Sequence, residues 1–200
     1  MKKMIYILAT LMLLFAASQI WAKIQNSKIE TLPYSVLKEY EGFEIRRYEP
    51  ATFSYVTLNV DSYDKGASMG FSKLGGYIFG ANENQSKISM TSPVEMEMDS
   101  QVVVKFMVPS TYKMEDLPIP KNKEVKFIEQ PERTVAAIQF GGFANDEKIK
   151  SYKEQLFNLL ATHQISHVQE YSFFGYNSPY DLFNRRNEVI VEIDVEGLQL

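Results

Sequence analysis

Apolar and polar residues alternate in three segments of the chain after residue 33, and this period of two predicts β-strands. The three segments are 36–40, 43–48 and 51–60. From Asp61 to Phe79 the apolar period becomes helical, with Asp61 or Ser62 as the N-cap and Gly80 as a left-handed C-terminal residue. The buried stripe of this first helix is predicted to be Ala67, Phe71, Leu74 and Ile78.

Two further strands, 87–98 and 102–108, follow the helix, and Pro93 interrupts the first of them. Residues 109–123 contain three prolines and are predicted to be a linker. The second half then has the same order of elements. It comprises strands 125–128 and 134–140, a helix that Asn145 caps, and strands 168–176 and 188–195.

Two Ser-Pro pairs precede strands in the two halves, and Pro93 and Pro179 lie 86 residues apart. The helix starts at Asp61 and Asn145 are 84 residues apart. This near-constant offset predicts one βαββ-like unit used twice, over about 34–110 and 124–196. The predicted fold class is α+β: two βαββ-like repeats form a twisted antiparallel sheet or barrel with two flanking helices.

The first 22 residues are typical of a secretory signal peptide. Lys2 and Lys3 precede an apolar run, and Ala22 is a small residue before Lys23. The alternative is an uncleaved membrane anchor, because residues 4–22 approach the roughly 20 residues that span a bilayer. Both interpretations predict an exported protein, either periplasmic or secreted, or attached to the membrane. Residues 23–33 are then a tether, and 34–200 form the domain.

Composition restricts the partners. The chain has 21 basic and 25 acidic residues, and its basic residues form no long run, which argues against a nucleic-acid ligand. It has no cysteine, so disulfides, thiolate nucleophiles and cysteine-bound metals are excluded. His163 and His167 have the i, i+4 spacing of a metal pair, but no third ligand accompanies them, so we predict surface histidines and no metal site.

Six stretches of the chain resemble the SOUL/heme-binding-protein family, and they follow the family's order over nearly the whole domain. They are FEIRRYEPA (43–51), GYIFGANE with KISMTSPV (76–94), VKFMVPSTY (104–112), LPIP (117–120), VAAIQFGGFA (135–144) and GYNSPYDLFNRRNEV (175–189). The resemblance implies a twisted antiparallel barrel with two flanking helices. It also implies non-covalent, non-enzymatic binding of heme or another tetrapyrrole in a cleft beside the first helix.

Individual family positions carry different residues in this chain. One branch of the family has a histidine, proposed as an axial iron ligand, where this chain has Arg47. Another branch holds the porphyrin with basic residues and a Met-Lys pair at positions that match Ser68, Gly75-Gly76 and Asp181 here. The resemblance therefore implies weak or five-coordinate heme binding without a histidine axial ligand.

A second stripe of the first helix consists of small residues that end at an aromatic ring. Its members are Ser68, Ser72, Gly75, Gly76 and Phe79. Each helical glycine costs roughly 1 kcal/mol relative to alanine, so two in succession indicate a close approach. The approaching group is either a flat apolar ligand that stacks on Phe79, or a strand or the 113–123 segment packing on this face.

Basic and sulfur-containing side chains offer further contacts. Five basic side chains could bind ligand carboxylates through charge-assisted hydrogen bonds: Arg46, Arg47, Lys73, Arg185 and Arg186. For Arg185 or Arg186 the alternative is an ion pair with a nearby acid such as Glu188. Met69, Met90, Met96 and Met107 could include a thioether ligand or simply fill the core. The predicted ligand-binding residues are Arg47, Ser68, Met69, Ser72, Gly75, Gly76, Phe79, Asp181 and Arg185.

Two alternatives to heme binding stay open. The first is an enzyme or carrier for another small apolar molecule that uses Glu95 or Glu188 as a pocket carboxylate. The second is an interaction module of the cell envelope without any small ligand.

Overall fold

The computed structural model describes residues 29–99, 101–178 and 181–194, and before them residues 3, 6, 7 and 10–15, which are helical. The predicted signal peptide or anchor falls mostly outside the described residues and stays a prediction. Within the described part of the chain, no helix combines the length and apolarity needed to cross a membrane.

Eleven strands and two long helices make up the described domain. The strands are β1 Glu30–Thr31, β2 Tyr34–Tyr40, β3 Phe43–Tyr48, β4 Ala51–Leu58, β5 Thr91–Ser92, β6 Val94–Met98, β7 Val102–Met107, β8 Lys126–Gln130, β9 Arg133–Phe140, β10 Ser172–Gly175 and β11 Asn187–Glu192. The helices are α1 Tyr63–Ile78 and α2 Asp146–Thr162, with a short 3-10 turn at Met114–Asp116.

Nine strands form one antiparallel sheet in the order β2-β3-β9-β11-β10-β6-β7-β4-β8, and β1 pairs with β5 in a separate parallel ribbon. The sheet curls into a half-barrel. Helix α1 packs on β4, β6 and β7, whereas α2 packs on β9 and β11. The predicted α+β class, with a twisted antiparallel sheet and two flanking helices, is confirmed.

The strand order is equivalent in the two halves, since β4 pairs with β7 and β7 with β6, as β9 pairs with β11 and β11 with β10. The two Ser-Pro pairs are not equivalent. Ser92 ends β5 and is separated from β6 by Pro93 alone, whereas Ser178 follows β10 in the loop to β11. The two Ser-Pro pairs, 86 residues apart, therefore lie at positions that are not equivalent in the fold. The internal repeat stays a prediction.

The helix boundaries agree with the sequence signals. Ser62 is the N-cap residue of α1, and Gly80 follows the helix with φ of 112°. The Asn145 side chain caps α2 by accepting a hydrogen bond from the Lys148 backbone N–H at 2.8 Å. Asn145 satisfies a backbone N–H group that would otherwise lack a partner at the start of α2, and Gly80 adopts the left-handed conformation that ends α1. Local sequence was therefore sufficient to place these helix ends.

Two glycines bring α1 very close to the sheet. A Cβ on Gly70 would lie 2.4 Å from Val104 Cγ2, and a Cβ on Gly66 would lie 2.7 Å from Val102 Cγ1. Both distances are too short for any real contact, so β7 occupies the space of the missing side chains. The close backbone approach that we assigned to Gly75 and Gly76 is made instead by Gly66 and Gly70.

Candidate functional site

The predicted ligand face of α1 lies on the solvent side of the helix. Ser68, Met69 and Ser72 are exposed, as is Phe79, whose exposed fraction is 55%. The opposite face packs on β4, β6 and β7 through Gly66, Gly70 and Leu74. Neither a strand nor the 113–123 segment buries these four side chains, so this face is available to a ligand.

Gly75 lies between two aromatic rings on this face. A Cβ on Gly75 would be 3.4 Å from the Phe71 ring and 3.7 Å from the Phe79 ring. The Phe71 ring is held from below by an edge contact with Phe106 at 5.5 Å between centroids. We call Phe71, Gly75 and Phe79 the aromatic notch. Gly76 differs, because its nearest neighbour would be Ala81 Cβ at 4.0 Å.

Arg185 lies near the first turn of α1. Its guanidinium stacks on Phe143 at 4.6 Å from the ring centroid and donates to the carbonyls of Ser178 and Asp181. Burial raises the pKa of Tyr63, and the charge of Arg185 partly opposes that effect. Asp181 is buried, and its carboxylate accepts a hydrogen bond from Asn177 Nδ2 at 3.3 Å. Its negative charge is therefore not displayed to solvent.

Arg47 lies on a strand that α1 does not pack against. It lies on β3, which pairs with β2 and β9, and forms an ion pair with Glu132 at 3.5 Å. Helix α1 packs on the other half of the sheet. The structure thus gathers the α1 residues of the predicted site and places Arg47 elsewhere.

The methionine and histidine side chains that could ligate a metal lie in different parts of the structure. Met96 and Met107 are buried in the two apolar clusters, whereas Met69 is exposed on α1. His163 contacts Tyr40 and Phe43, and His167 contacts Phe157. The described residues contain no group of three or more His, Asp or Glu side chains arranged to hold a metal ion.

A buried charge network fills the face of the sheet opposite the helices. The sequence predicted one of its ion pairs, between Arg186 and Glu188, and this pair is confirmed at 2.7 Å. The rest of the network was not predicted. Glu188 is fully buried at its centre. Its Oε2 accepts from Arg46 Nη1 at 2.8 Å and from the Tyr176 hydroxyl at 2.9 Å, and its Oε1 accepts from Arg186 Nε at 2.9 Å. Three donors therefore satisfy one carboxylate, which makes its burial tolerable.

The network fixes the protonation of its members. Burial alone lowers the pKa of Arg46, but the charge of Glu188 and its hydrogen bond outweigh burial and raise it overall. Burial raises the pKa of the Tyr176 and Tyr48 hydroxyls, and the charge of Glu188 raises both further. Both tyrosines are thus neutral hydrogen-bonding groups, and Arg46 is a permanent cation.

Glu95 has its own partners. Arg133 binds it with two hydrogen bonds of 3.0 and 2.8 Å, and Ser172 Oγ donates to it at 3.0 Å. Glu95 and Glu188 both stand opposite Phe174, on the strands to either side of β10. Two strand spacings put their Cα atoms about 10 Å apart. The carboxylate pair suggested by the sequence is therefore not formed.

Buried tyrosines make the fold sensitive to alkali. Burial raises the pKa of Tyr77 to about 12, with a smaller contribution from Tyr112, and the Tyr77 hydroxyl donates to the Pro118 carbonyl at 2.9 Å. The unfolded chain releases this proton near pH 10 and the folded protein near pH 12, so folding stability falls as the pH rises through this window. We expect the urea midpoint to decrease from pH 10 to 12, and absorbance at 295 nm to show fewer ionised tyrosines in the folded protein than in the urea-unfolded protein at the same pH. A midpoint that is constant over this range contradicts the assignment.

Two cavities open on the half-barrel away from the α1 face. One, of about 420 Å³, is lined by residues of β6, β7, β9, β10 and β11, and we call it the interior cavity. The other, of about 690 Å³, is lined by Pro33, Pro50, Pro109 and Pro131 at the rim of the sheet. None of the predicted ligand-binding residues lines either cavity.

Comparison with solved structures first defines the class of fold. The fold is similar to that of the EcmrR C-terminal domain, with a TM-score of 0.59, 9% identity, and coverage of 80% of this chain and 98% of that one. It is also similar to a hydrolase from Listeria innocua, with a TM-score of 0.55, 9% identity, and coverage of 76% and 91%. The chain thus shares an α+β half-barrel architecture with proteins of unrelated sequence.

The sequence comparisons are more specific. The family model described as SOUL heme-binding protein matches residues 29–192, and the chain belongs to this family. Heme-binding protein 2 of Mus musculus is 31% identical over 157 residues, which cover 74% of this chain and 76% of that protein. Heme-binding protein 1 of Xenopus laevis is 28% identical over 160 residues, which cover 76% and 84%. The family resemblance found in the sequence is confirmed.

Proposed function

We propose that the protein binds heme, or a similar planar tetrapyrrole, non-covalently on the solvent face of α1. The observation that carries the proposal is the aromatic notch on an exposed helix face, in a chain that belongs to the SOUL heme-binding protein family. Relatives that are 28–32% identical are named heme-binding proteins 1 and 2. The proposal applies their named ligand to a face of α1 that exposes an aromatic and a sulfur side chain together.

Apolar contact provides the affinity at this face. Phe79 and Met69 are the exposed large side chains of α1, and a ligand that covers them gains roughly 25 cal/mol for each Å² of apolar surface removed from water. Offset stacking on the rings of Phe71 and Phe79 adds about 0.5–1.5 kcal/mol per ring. Gly75 is itself buried beneath the two rings, and because it has no side chain it lets both rings lie close to the helix.

Iron ligation is proposed to be weak or five-coordinate. Arg47 replaces a family histidine and is engaged with Glu132, and both histidines of the chain pack on aromatic rings near the end of α2. Met69 is the exposed thioether of the α1 face. A face with one thioether and no imidazole is a poor holder of iron, so the macrocycle rather than the metal is the group recognised.

Hemin titration tests this function. We expect a saturable change in the Soret band of hemin at micromolar protein, and the same spectrum from the His163→Ala and His167→Ala variants. Apo-porphyrin without iron is expected to bind with similar affinity, because the contacts are to the macrocycle. If hemin gives no saturable change, or if removal of a histidine abolishes it, the proposal is wrong.

Catalysis is not part of the proposed function. Glu95 and Glu188, the two candidate acid–base groups, are each bound by arginine and by a hydroxyl group. Both carboxylates are fully buried and their oxygens are occupied by these partners, so neither is presented to a substrate. The wild-type protein can be assayed for hydrolysis of ester and phosphate substrates. Absence of turnover supports a binding function without catalysis. Turnover that is lost in the Glu95→Gln variant contradicts it.

We also propose that binding takes place outside the cytoplasm. The support is the N-terminal pattern of Lys2, Lys3 and an apolar run that ends before Lys23. Trp21 is the single tryptophan of the chain, so protein purified from its host will lack tryptophan fluorescence if residues 1–22 are removed. Retained fluorescence in a membrane fraction supports the anchor, and retained fluorescence in a cytosolic fraction overturns export.

A further inference from the structure

The interior cavity has the size and the apolar walls of a small-molecule site. Its volume of about 420 Å³ lies within the 300–1,000 Å³ of typical ligand pockets. Met98, Val103, Tyr171 and Ile190 contribute apolar surface to it. Val103 and Ile190 lie on the same face of the sheet as Glu97 and Ser172, as the strand registers require. Met98 and Tyr171 belong to the apolar cluster on the other face, so the cavity lies at the ends of these strands and is distinct from the α1 face.

Most of the charged residues that line this cavity are acidic. Glu97, Asp99, Glu170 and Glu192 line it, together with a single basic residue, Arg133. Both terminal nitrogens of Arg133 are engaged by the buried Glu95, and Glu192 lies 3.7 Å from the same guanidinium. Arg133 is thus already neutralised, and it adds no attraction for an anion.

The wall of the cavity already binds a cation of the protein itself. Glu97 forms a short ion pair with Lys105, whose side chain is almost fully buried. Behind the cavity, the Lys153 ammonium lies 4.5 Å from the centroid of the Tyr171 ring. Carboxylates and an aromatic ring around a partly desolvated space are the groups that stabilise organic cations.

We propose that the interior cavity binds a small organic cation with an apolar body, through Glu170 and Glu192 at its rim and Val103, Tyr171 and Ile190 at its walls. The positive group faces the two glutamates, and the apolar body covers the walls. Heme carries carboxylates, so the same acidic rim excludes it and the two ligands occupy different sites.

Rhodamine 6G, a flat cationic dye, is the probe for this site, and fluorescein is its anionic counterpart of similar size. Fluorescence anisotropy of the full-length protein is expected to show saturable binding of rhodamine 6G and none of fluorescein. Glu170→Gln combined with Glu192→Gln should weaken rhodamine binding about tenfold, because two nearby carboxylate charges are lost. The matched control is Glu147→Gln combined with Glu154→Gln on the exposed side of α2, which removes the same charge elsewhere.

The outcome separates this site from the α1 face. Val103→Phe, which places a ring in the cavity, should also weaken rhodamine binding, whereas a leucine at Gly75 should leave it unchanged. Hemin should not displace the dye. Equal losses in the rim variant and the α2 control, saturable binding of fluorescein, or displacement by hemin would each overturn the proposal. Thermal unfolding of every variant shows whether a loss arises from misfolding.

Discussion

Replacing Glu188 by glutamine is expected to destabilise the fold by about 3–5 kcal/mol. The substitution preserves the size of the side chain and removes its charge. Arg46 then remains buried and Arg186 half-buried without their shared counter-charge, while the Tyr176 hydroxyl loses a charged acceptor. The largest part of the cost is the loss of a fully buried counter-charge from Arg46, which is about 2% exposed and keeps only the partly exposed Glu44, at 2.7 Å, as an ion-pair partner.

Urea unfolding monitored by circular dichroism measures this loss. The matched control is Glu132→Gln, which removes the same charge from the exposed ion pair with Arg47 and should cost at most about 1 kcal/mol. Adding Arg46→Met to Glu188→Gln should recover part of the stability, because it removes a buried cation that has lost its buried counter-charge. Equal effects of Glu188→Gln and Glu132→Gln would show that the buried network does not stabilise the fold.

Gly70→Ala is the second substitution expected to have a large effect. Alanine is the better helix former by up to about 1 kcal/mol, but its methyl group would overlap Val104 on β7. Overpacking of this kind costs about 1–3 kcal/mol, and here the obstructing atoms belong to a β-branched side chain on a central strand. We expect a net loss of about 2 kcal/mol, which lowers the Tm by roughly 4–8 °C for a domain of this size.

Gly76→Ala provides the opposite result within the same helix. The new methyl group would meet only Ala81 Cβ at 4.0 Å, so the helix preference of alanine should raise the Tm. Differential scanning calorimetry of the two variants compares them directly. If Gly70→Ala melts at or above the wild-type temperature, α1 does not pack on β7 as closely as described.

Local signals explain what the sequence could predict. Ser62, Gly80 and Asn145 mark helix ends through their own backbone and side-chain geometry, and no tertiary contact is needed to recognise them. The alternation from Phe43 to Tyr48 places a strand with the same bounds in the prediction and in the structure. The α+β class follows from the order of such elements.

The partners of α1 were beyond local reasoning. The helical period identifies which residues share a face of α1. It does not show that β7 packs against Gly66 and Gly70, which is why glycine is needed at these positions. Glycine pairs drew attention to Gly75 and Gly76 instead. Gly75 and Gly76 lie beside the core stripe. Gly75 lies between the rings of Phe71 and Phe79, whereas a side chain at Gly76 would contact only Ala81. The predicted buried stripe thus included Leu74 and Ile78 but missed the glycines through which α1 packs closely on the sheet.

Apart from the ion pair of Arg186 with Glu188, the buried network was missed for a related reason. Charged residues at alternate positions of a strand usually indicate a solvated face of the sheet. Here Arg46 reaches Glu188 across 142 residues of sequence, and Arg133 reaches Glu95 across 38. Only the strand order places β3 and β11 on either side of β9, and β10 between β6 and β11. Curling of the sheet then encloses charges that the pattern alone would leave in water.

The measurement that tests the central proposal most directly compares hemin binding by Gly75→Leu and Gly76→Leu. The two residues are neighbours on α1, and their substitutions add the same atoms. Leucine at Gly75 fills the aromatic notch between Phe71 and Phe79, whereas leucine at Gly76 projects beside Ala81. We predict that Gly75→Leu weakens hemin binding at least about tenfold and that Gly76→Leu leaves it within about twofold. Equal affinities of the two folded variants would contradict binding at the aromatic notch.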